Sequence, residues 1–278
     1  MLTKDQVERI EREAYLPEHL PDYVCTIAGA DPFCFGDYLA YAGKGVLIFI
    51  GYPLGAPFDL HLLEVKLAEA IKGLKPRLVS LIAPAIPPSL GKDLLLSDQY
   101  YRLDLNAVVL SQKTRNMLKR AGRELTVQTG DRFGPEHDHL VQDFIRRRSV
   151  DEATRTIFAG IDRYLEVSRS ARIYEARNAA GELVAFDVAE FASRDYAFYM
   201  FNFTAADPFV PGSSDLLIAR MIEQAVAEGK KWINLGLGIN PGVAAFKKKW
   251  GGVPFFPHAF HLYHPAGKGL LEMLLRRL

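Results

Sequence analysis

Tyr196-Ala197-Phe198-Tyr199-Met200-Phe201-Asn202-Phe203 is apolar on both faces, and beyond Pro208 and Pro211 it leads into Gly212-Ser213-Ser214-Asp215-Leu216-Leu217. A β-favouring run without polar alternation reads as a strand inside a covered sheet. Leu217, Ile218, Met221, Ile222, Ala225 and Val226 then recur at helical spacing, with Gly229 at the C-terminal stop position. Trp232-Ile233-Asn234-Leu235 is a second, shorter strand, and Leu237 to Gly242 a loop. Val243 to Trp250 follows as a short helix and Phe255 to Tyr263 as a last strand. A strand, a crossover helix and a further strand make a mixed α/β sheet, which is the fold class the sequence predicts.

The pattern extends upstream. Ala171 to Arg177 and Leu183 to Phe191 are strand-like runs about the turn Asn178-Ala179-Ala180-Gly181, preceded by helical segments near 135–148 and 151–165. Ser111 caps a helix carrying Lys113, Arg115, Lys119, Arg120 and Arg123, whose basic face is either a solvated surface or a polyanion site. In the first hundred residues, Tyr38 to Tyr41 and Val46 to Ile50 flank Ala42-Gly43-Lys44-Gly45 as a hairpin. Gly51-Tyr52-Pro53-Leu54-Gly55 breaks the chain before a helix with Leu60, Leu63, Leu67 and Ile71 on one stripe, ending near Gly73. Leu78 to Ile82 and Tyr101 to Leu105 are further strands, separated by a loop with Pro84, Pro87 and Pro88.

Composition limits the function. The 278 residues are 49% hydrophobic and 24% charged, with 34 Lys+Arg against 33 Asp+Glu, a net charge of +1. These are the proportions of a soluble globular chain of one large or two modest domains. So balanced a charge supplies no general field for nucleic acid. Cys25 and Cys34 form neither a CxxC pair nor a disulfide framework. The charged start, Met1 to Ile10, lacks the apolar core of a signal peptide, and no run reaches the ~20 apolar residues of a membrane span. The expectation is a cytoplasmic protein without a transmembrane segment. The apolar, basic-tipped end, Gly269 to Leu278, reads as docking on the core or as a contact with lipid or a partner helix.

The element order resembles the GNAT acyltransferase superfamily, on two segments. Pro211-Gly212-Ser213-Ser214-Asp215-Leu216-Leu217 stands where that family turns from a long strand into its cofactor-facing helix. Asn234-Leu235-Gly236 through Ala245-Phe246-Lys247-Lys248-Lys249-Trp250-Gly251-Gly252 is similar to the closing motif of Fem-type aminoacyl transferases and of phosphatidylglycerol lysyltransferase catalytic domains. Those relatives carry two GNAT-like units in tandem. The resemblance implies a degenerate first unit over residues 1–110, a connecting helix and strand over 111–133, and an acyltransferase unit over 134–278.

Candidate site residues follow from that resemblance and from side-chain chemistry. Gly212, Ser213 and Ser214 open a helix whose free N–H groups suit the phosphates of a donor such as acyl-CoA; Ser213 or Ser214 could equally be a plain N-cap. Asp215 in that first turn works against a pyrophosphate. Asn202, Asn240 and Phe246 are the other expected donor-binding residues. Lys247 stands where acetyl-transferring relatives have a tyrosine, and its ammonium suits a developing oxyanion. Acyl transfer to an amine also needs a base, for which Asp187 and Glu190 are the candidates. A small-molecule acyl donor and acceptor are the expected partners. The charge of +1 disfavours an aminoacyl-tRNA donor. The spacing of His258, His261 and His264 on a strand does not make a metal site, and His137 and His139 read as surface or capping residues. The competing reading is a non-catalytic small-molecule or protein-binding module.

Overall fold

The computed structural model describes residues 2–90, 96–130 and 132–265. The chain begins with α1 (Lys4–Glu13), α2 (Pro21–Ala28), β1 (Asp31–Phe35), β2 (Tyr38–Gly43), β3 (Val46–Ile50), α3 (Leu60–Leu74), β4 (Leu78–Ala83) and β5 (Leu96–Asp104). It continues with α4 (Gln112–Glu124), β6 (Leu125–Gly130), α5 (Pro135–Arg147), α6 (Glu152–Ala159), α7 (Ile161–Val167), β7 (Ala171–Asn178), β8 (Leu183–Glu190) and β9 (Tyr196–Thr204). The last elements are α8 (Ser213–Ala227), β10 (Trp232–Leu237), α9 (Pro241–Lys249) and β11 (Val253–Tyr263). The expected segment at 151–165 is interrupted at Gly160, which ends α6 and starts α7. The apolar segment after Pro265 lies outside the described residues.

Two compact units result. Among the described residues the first comprises the chain up to Ala14, Glu18 to Tyr100, and Pro254 onward; the second comprises Tyr15–Pro17 and Tyr101–Val253. The bounds therefore differ from those read in the sequence: the units change within β5, ahead of residue 110, and β11 belongs to the first unit. Strand pairing joins distant segments of chain, which composition along the sequence does not reveal.

In the first unit the strand order is β1-β2-β3-β4-β11. β2 and β3 form the expected hairpin, with Gly43 opposite Val46 and both loop residues, Lys44 and Gly45, at positive φ. That backbone is the one whose twist matches the strands it joins. Asp59 caps α3 by accepting from the Leu62 N–H at 2.8 Å, and Leu63, Leu67 and Ala70 face the core with Phe49 and Leu81. β3 and β4 are parallel and paired from Val46↔Leu78 to Ile50↔Ile82. The Gly51 N–H extends the ladder to the Ile82 carbonyl at 2.7 Å. A Cβ on Gly51 would lie 2.6 Å from that of Ala83 and 3.0 Å from Leu63 Cδ1, so the strands close tightly over the start of α3.

In the second unit the order is β10-β9-β8-β7-β6. β6 to β9 form an antiparallel meander, and β10 joins β9 in parallel after the α8 crossover. α8 covers one sheet face with Leu217, Ile218, Met221 and Ala225 against Ala185, Ala189 and Ile233. The other face is aromatic: Phe186 stacks on Phe203 at 5.1 Å, and Phe144 and Phe158 meet Phe203 edge-on at 5.5 and 5.0 Å. This two-sided cover accounts for the missing alternation in β9. No helix among the described residues is long and apolar enough to cross a membrane.

The first unit also encloses a carboxyl that has no counter-charge among the described residues. Glu18 Oε2 is shut off from solvent and has no hydrogen-bond partner, and Tyr23, Tyr41 and Tyr100 surround the group. His19 beside it donates from Nε2 to the Tyr52 carbonyl at 2.9 Å, and burial takes its pKa down to about 4, so it brings no positive charge. Burial raises the Glu18 pKa. The folded chain therefore keeps a proton that the unfolded chain releases. Its stabilisation is complete below the ordinary glutamate range, about 4.3, and is lost as pH rises toward the folded value. Glu18→Gln is expected to melt above the parent protein at pH 8 and level with it near pH 4. Equal melting at both pH values would place a charge-compensating partner on Glu18.

Candidate functional site

The site begins where two strands stop pairing. β10 runs parallel to β9 through Trp232↔Tyr196, Ile233↔Ala197 and Asn234↔Phe198, and the pairing ends there although both strands continue. Two features part them. The Gly236 N–H turns back to Asn234 Oδ1 at 2.7 Å instead of bonding across to β9, with Gly236 at φ 75°. On the other side of β9, Val188 pairs with Phe201 but Ala189 with Tyr199, leaving Met200 as a bulge. A bulge sharpens the local twist and redirects the side chains beyond it. Tyr199 and Asn202 consequently both address Asp187 on the α8 side.

Lys247 enters this wedge from α9. Asn240 caps that helix by accepting from the Val243 N–H at 3.0 Å, after a tight reversal in which the Asn240 N–H reaches the Gly238 carbonyl at 2.6 Å. The Lys247 ammonium donates to the Leu237 carbonyl, lies 5.9 Å from the centre of the Tyr101 ring and leaves the side chain 3% exposed. A Cβ on Gly236 would be 3.6 Å from Lys247 Nζ and 3.9 Å from the Tyr199 carbonyl, which is ordinary contact, so it is the left-handed φ of 75° that calls for glycine there. Asn240 is thus occupied as a cap, and Phe246 packs against the core.

α8 opens the other wall. Gly212, at φ 89°, is its N-cap and contributes no side-chain hydrogen bond; neither serine is the cap. Glycine is required twice over, since a Cβ would fall 2.9 Å from Met117 Cγ and 3.1 Å from Ala121 Cβ on α4. Lateral ties hold the first turn instead. Ser214 Oγ donates to Asn202 Oδ1 at 3.1 Å. Asp215 Oδ1 accepts from Trp250 Nε1 at 2.9 Å and lies 2.6 Å from Lys249 Nζ. The carboxylate expected to repel a pyrophosphate is therefore matched by a cation.

The two candidate bases lie on opposite faces of β8, as successive odd and even positions of a strand must. Asp187 is 0% exposed, and its Oδ1 accepts from the Asn202 amide and, at 3.5 Å, from the Tyr199 hydroxyl. Burial pushes its pKa well above the usual carboxylate range, against the hydrogen bonds from Asn202 and Tyr199, which act to lower it. Glu190 faces α7 and is fully engaged: Tyr164 OH donates at 2.5 Å, Ser168 Oγ at 2.6 Å, and the Phe191 and Ala192 N–H groups at 2.7 and 3.0 Å. Neither is the free carboxylate that a base requires. His137 is a buried cap, accepting the Gly134 N–H on Nδ1 at 3.0 Å with Nε2 3.0 Å from Glu175, while His139 is exposed. Among the described residues, no three His, Cys, Asp or Glu side chains gather as metal ligands.

No family model matches the sequence, and no curated protein does. Solved structures do. FemX matches with a TM-score of 0.62 at 12% identity, over 93% of this chain and 96% of its own. The L-PGS of Bacillus licheniformis matches with a TM-score of 0.59 at 15% identity, over 98% and 95%. A tandem GNAT protein from the clavulanic acid biosynthesis pathway matches with a TM-score of 0.51 at 14% identity, over 82% and 78%. The chain has the tandem GNAT fold.

Within that fold the units repeat a strand–helix–strand crossover, β3-α3-β4 in the first and β9-α8-β10 in the second. The first GNAT-like copy is closed by the Gly51–Ile82 bond and capped by Asp59, and in this sense it is degenerate. The second is parted and uncapped. Of the residues singled out in the sequence, Asn202 is bonded to Ser214 beside Gly212, and Lys247 lies against Leu237 and Tyr101. Sequence reading missed Tyr101, the Asp215–Trp250–Lys249 clamp and the Asn234–Gly236 turn. Asn234-Leu235-Gly236 did carry a signal, since a strand that ends on glycine marks a bend or a close approach.

Glu190→Ala tests the structural role. It would take the acceptor away from the Phe191 and Ala192 N–H groups, a loss of about 3 kcal/mol at 1–3 kcal/mol per orphaned group. Urea unfolding is expected to show that loss, whereas a solvent-facing base would leave the midpoint in place.

Proposed function

We propose that the second unit is an acyltransferase, moving an acyl or aminoacyl group from a thioester or ester donor to an amine or hydroxyl acceptor. The observation that carries this reading is the contrast between its parted strands and uncapped helix and the sealed counterpart in the first unit. In the proposal the donor lies in the wedge, its phosphates against the first turn of α8 at Gly212, Ser213 and Ser214. The Ser213 N–H is taken by the Val210 carbonyl at 3.3 Å, and the positive end of the helix is what favours an anion at this turn. The Asp215–Lys249 pair reduces the repulsion that a lone aspartate would exert.

Lys247 is the proposed catalytic residue. Attack on the donor carbonyl forms one bond to the acceptor and moves an electron pair onto oxygen; as that pair returns, the carbonyl's bond to the donor sulfur or oxygen breaks, and the proton the acceptor loses passes to the departing group. A buried ammonium at the mouth of the wedge stabilises that charge before it passes to the departing group. In water the same ammonium would be far less effective. Asp187 and Glu190 take no proton in this scheme, because one is shut off from solvent behind Asn202 and Tyr199 and the other is committed to four donors.

Acyl-CoA is favoured over aminoacyl-tRNA as donor. A chain of net charge +1 suits a compact anion better than a nucleic acid that needs many phosphate contacts. The cytoplasm belongs to the same proposal, as the compartment in which the half-buried thiols of Cys25 and Cys34 stay reduced. The non-catalytic module is the reading that a sealed second unit would support.

A thermal-shift panel of CoA, acetyl-CoA, longer acyl-CoA species and charged tRNA tests the proposal. At a hundred times the dissociation constant a true donor adds about 2.7 kcal/mol to stability, and acyl-CoA is expected to raise the melting temperature accordingly. With the active donor, Lys247→Ala is expected to lower kcat by about 100-fold, the scale of a lost oxyanion contact. Unchanged turnover in that variant would remove Lys247 from the chemistry, and binding without turnover would favour the non-catalytic module.

A further inference from the structure

Asp187 is the one carboxyl on the α8 side of β8, and it cannot meet a ligand directly, since it is 0% exposed. Its connections nonetheless run to the helix end that receives the donor. Asn202 Nδ2 donates to Asp187 Oδ1, and Asn202 Oδ1 accepts from Ser214 Oγ at 3.1 Å. An amide has a donor side and an acceptor side, and a partner on one side decides what the other side offers. With an acceptor at Asp187, Asn202 must turn its oxygen toward α8. Ser214 then points its hydroxyl at β9, and its backbone remains at the open end of the helix. Gly212 supplies no side chain that could fix this turn from the front.

We propose that Asp187 is a positioning residue for the donor, acting through Asn202 and Ser214 on the first turn of α8. The inference rests on the proposed function, because it needs a donor that binds at that turn. Its geometry depends on the Met200 bulge. Without the extra residue, Tyr199 and Asn202, three positions apart, would fall on opposite faces of β9; with it, both reach Asp187. The remaining carboxyl oxygen, Oδ2, is buried without a partner. That leaves Oδ1 as the atom that holds the amide, and a replacement side chain needs only an acceptor there.

The experiment is a titration of inorganic pyrophosphate and of CoA by calorimetry, with melting temperature measured alongside. Asp187→Leu, of similar bulk and without an acceptor, is expected to weaken both ligands about tenfold, equivalent to about 1.4 kcal/mol, while the fold is kept. Asp187→Asn keeps an oxygen at Oδ1 and is expected to bind within twofold of the parent. Ser214→Ala should weaken binding to the same degree, and the double variant Asp187→Leu/Ser214→Ala no further, since residues in one chain of hydrogen bonds do not add. Should Asp187→Leu fail to fold, Asn202→Ala reads the same link.

Parent protein that binds neither ligand would overturn acyl-CoA as the donor of the proposed function, and this inference with it. Binding by the parent and equally tight binding by Asp187→Leu would overturn the inference alone. So would a loss in Asp187→Asn as large as that in Asp187→Leu, because that result would mean the carboxyl itself is required, as in a base.

Discussion

The second unit depends on a ladder of hydrogen bonds that is not completed. Parallel strands joined by a crossover helix normally pair along their length, as β3 and β4 do from Val46 to Ile50. β9 and β10 part after Phe198 and Asn234 because one backbone donor, the Gly236 N–H, is satisfied by a side chain instead. An open seam in a sheet would ordinarily be costly, since buried peptide groups need partners. Here the Leu237 carbonyl receives the Lys247 ammonium. Opening the seam and burying the lysine are one structural event.

Three buried acids of the second unit show how surroundings decide the chemistry of one functional group. Asp187 sits among neutral donors in the interior, where burial raises its pKa. Asp215 meets Lys249 and the Trp250 indole, and fastens α8 to the end of α9. Glu190, on the opposite face, gathers two hydroxyls and two backbone N–H groups at the end of β8. A buried carboxyl is stable as a neutral acid, as half of an ion pair, or as the centre of a set of donors. The ion pair and the set of donors both occur here, and none of the three acids is the free carboxylate that a sequence motif suggests.

The contrast between the units is also one of side-chain size and capping. Gly51 lets β3 and β4 close until a Cβ would strike Ala83, and Asp59 satisfies the first turn of α3 from within the chain. Gly212 takes a left-handed conformation and brings α4 against the start of α8, leaving the helix without a cap. Glycine thus closes one copy and opens the other. The outcome depends on what the neighbouring strand and helix present.

Much of this fold was legible in the sequence. The both-sided apolarity of Tyr196 to Phe203, the helical stripe from Leu217 to Val226 and the glycine turns that follow fix a mixed sheet with a crossover helix. Periodicity reports burial, and burial follows the elements. Lys247, Gly212 and Asn202 were readable for a similar reason: a basic residue behind an aromatic, a glycine before a helix and a lone amide in an aromatic strand are each anomalies of local pattern. The fates of Asp187, Glu190 and Asp215 were not readable, because they depend on Asn202, Tyr164 and Lys249, partners that lie 15, 26 and 34 residues away in the chain. The bulge at Met200 and the assignment of β11 to the first unit were hidden likewise, since both are properties of strand register. Sequence by itself determined which segments are strands and helices and which residues are chemically unusual. Tertiary structure decided which of them carry charge, which are already bonded and which face open space, because proton affinity and hydrogen bonding are set by neighbours in space.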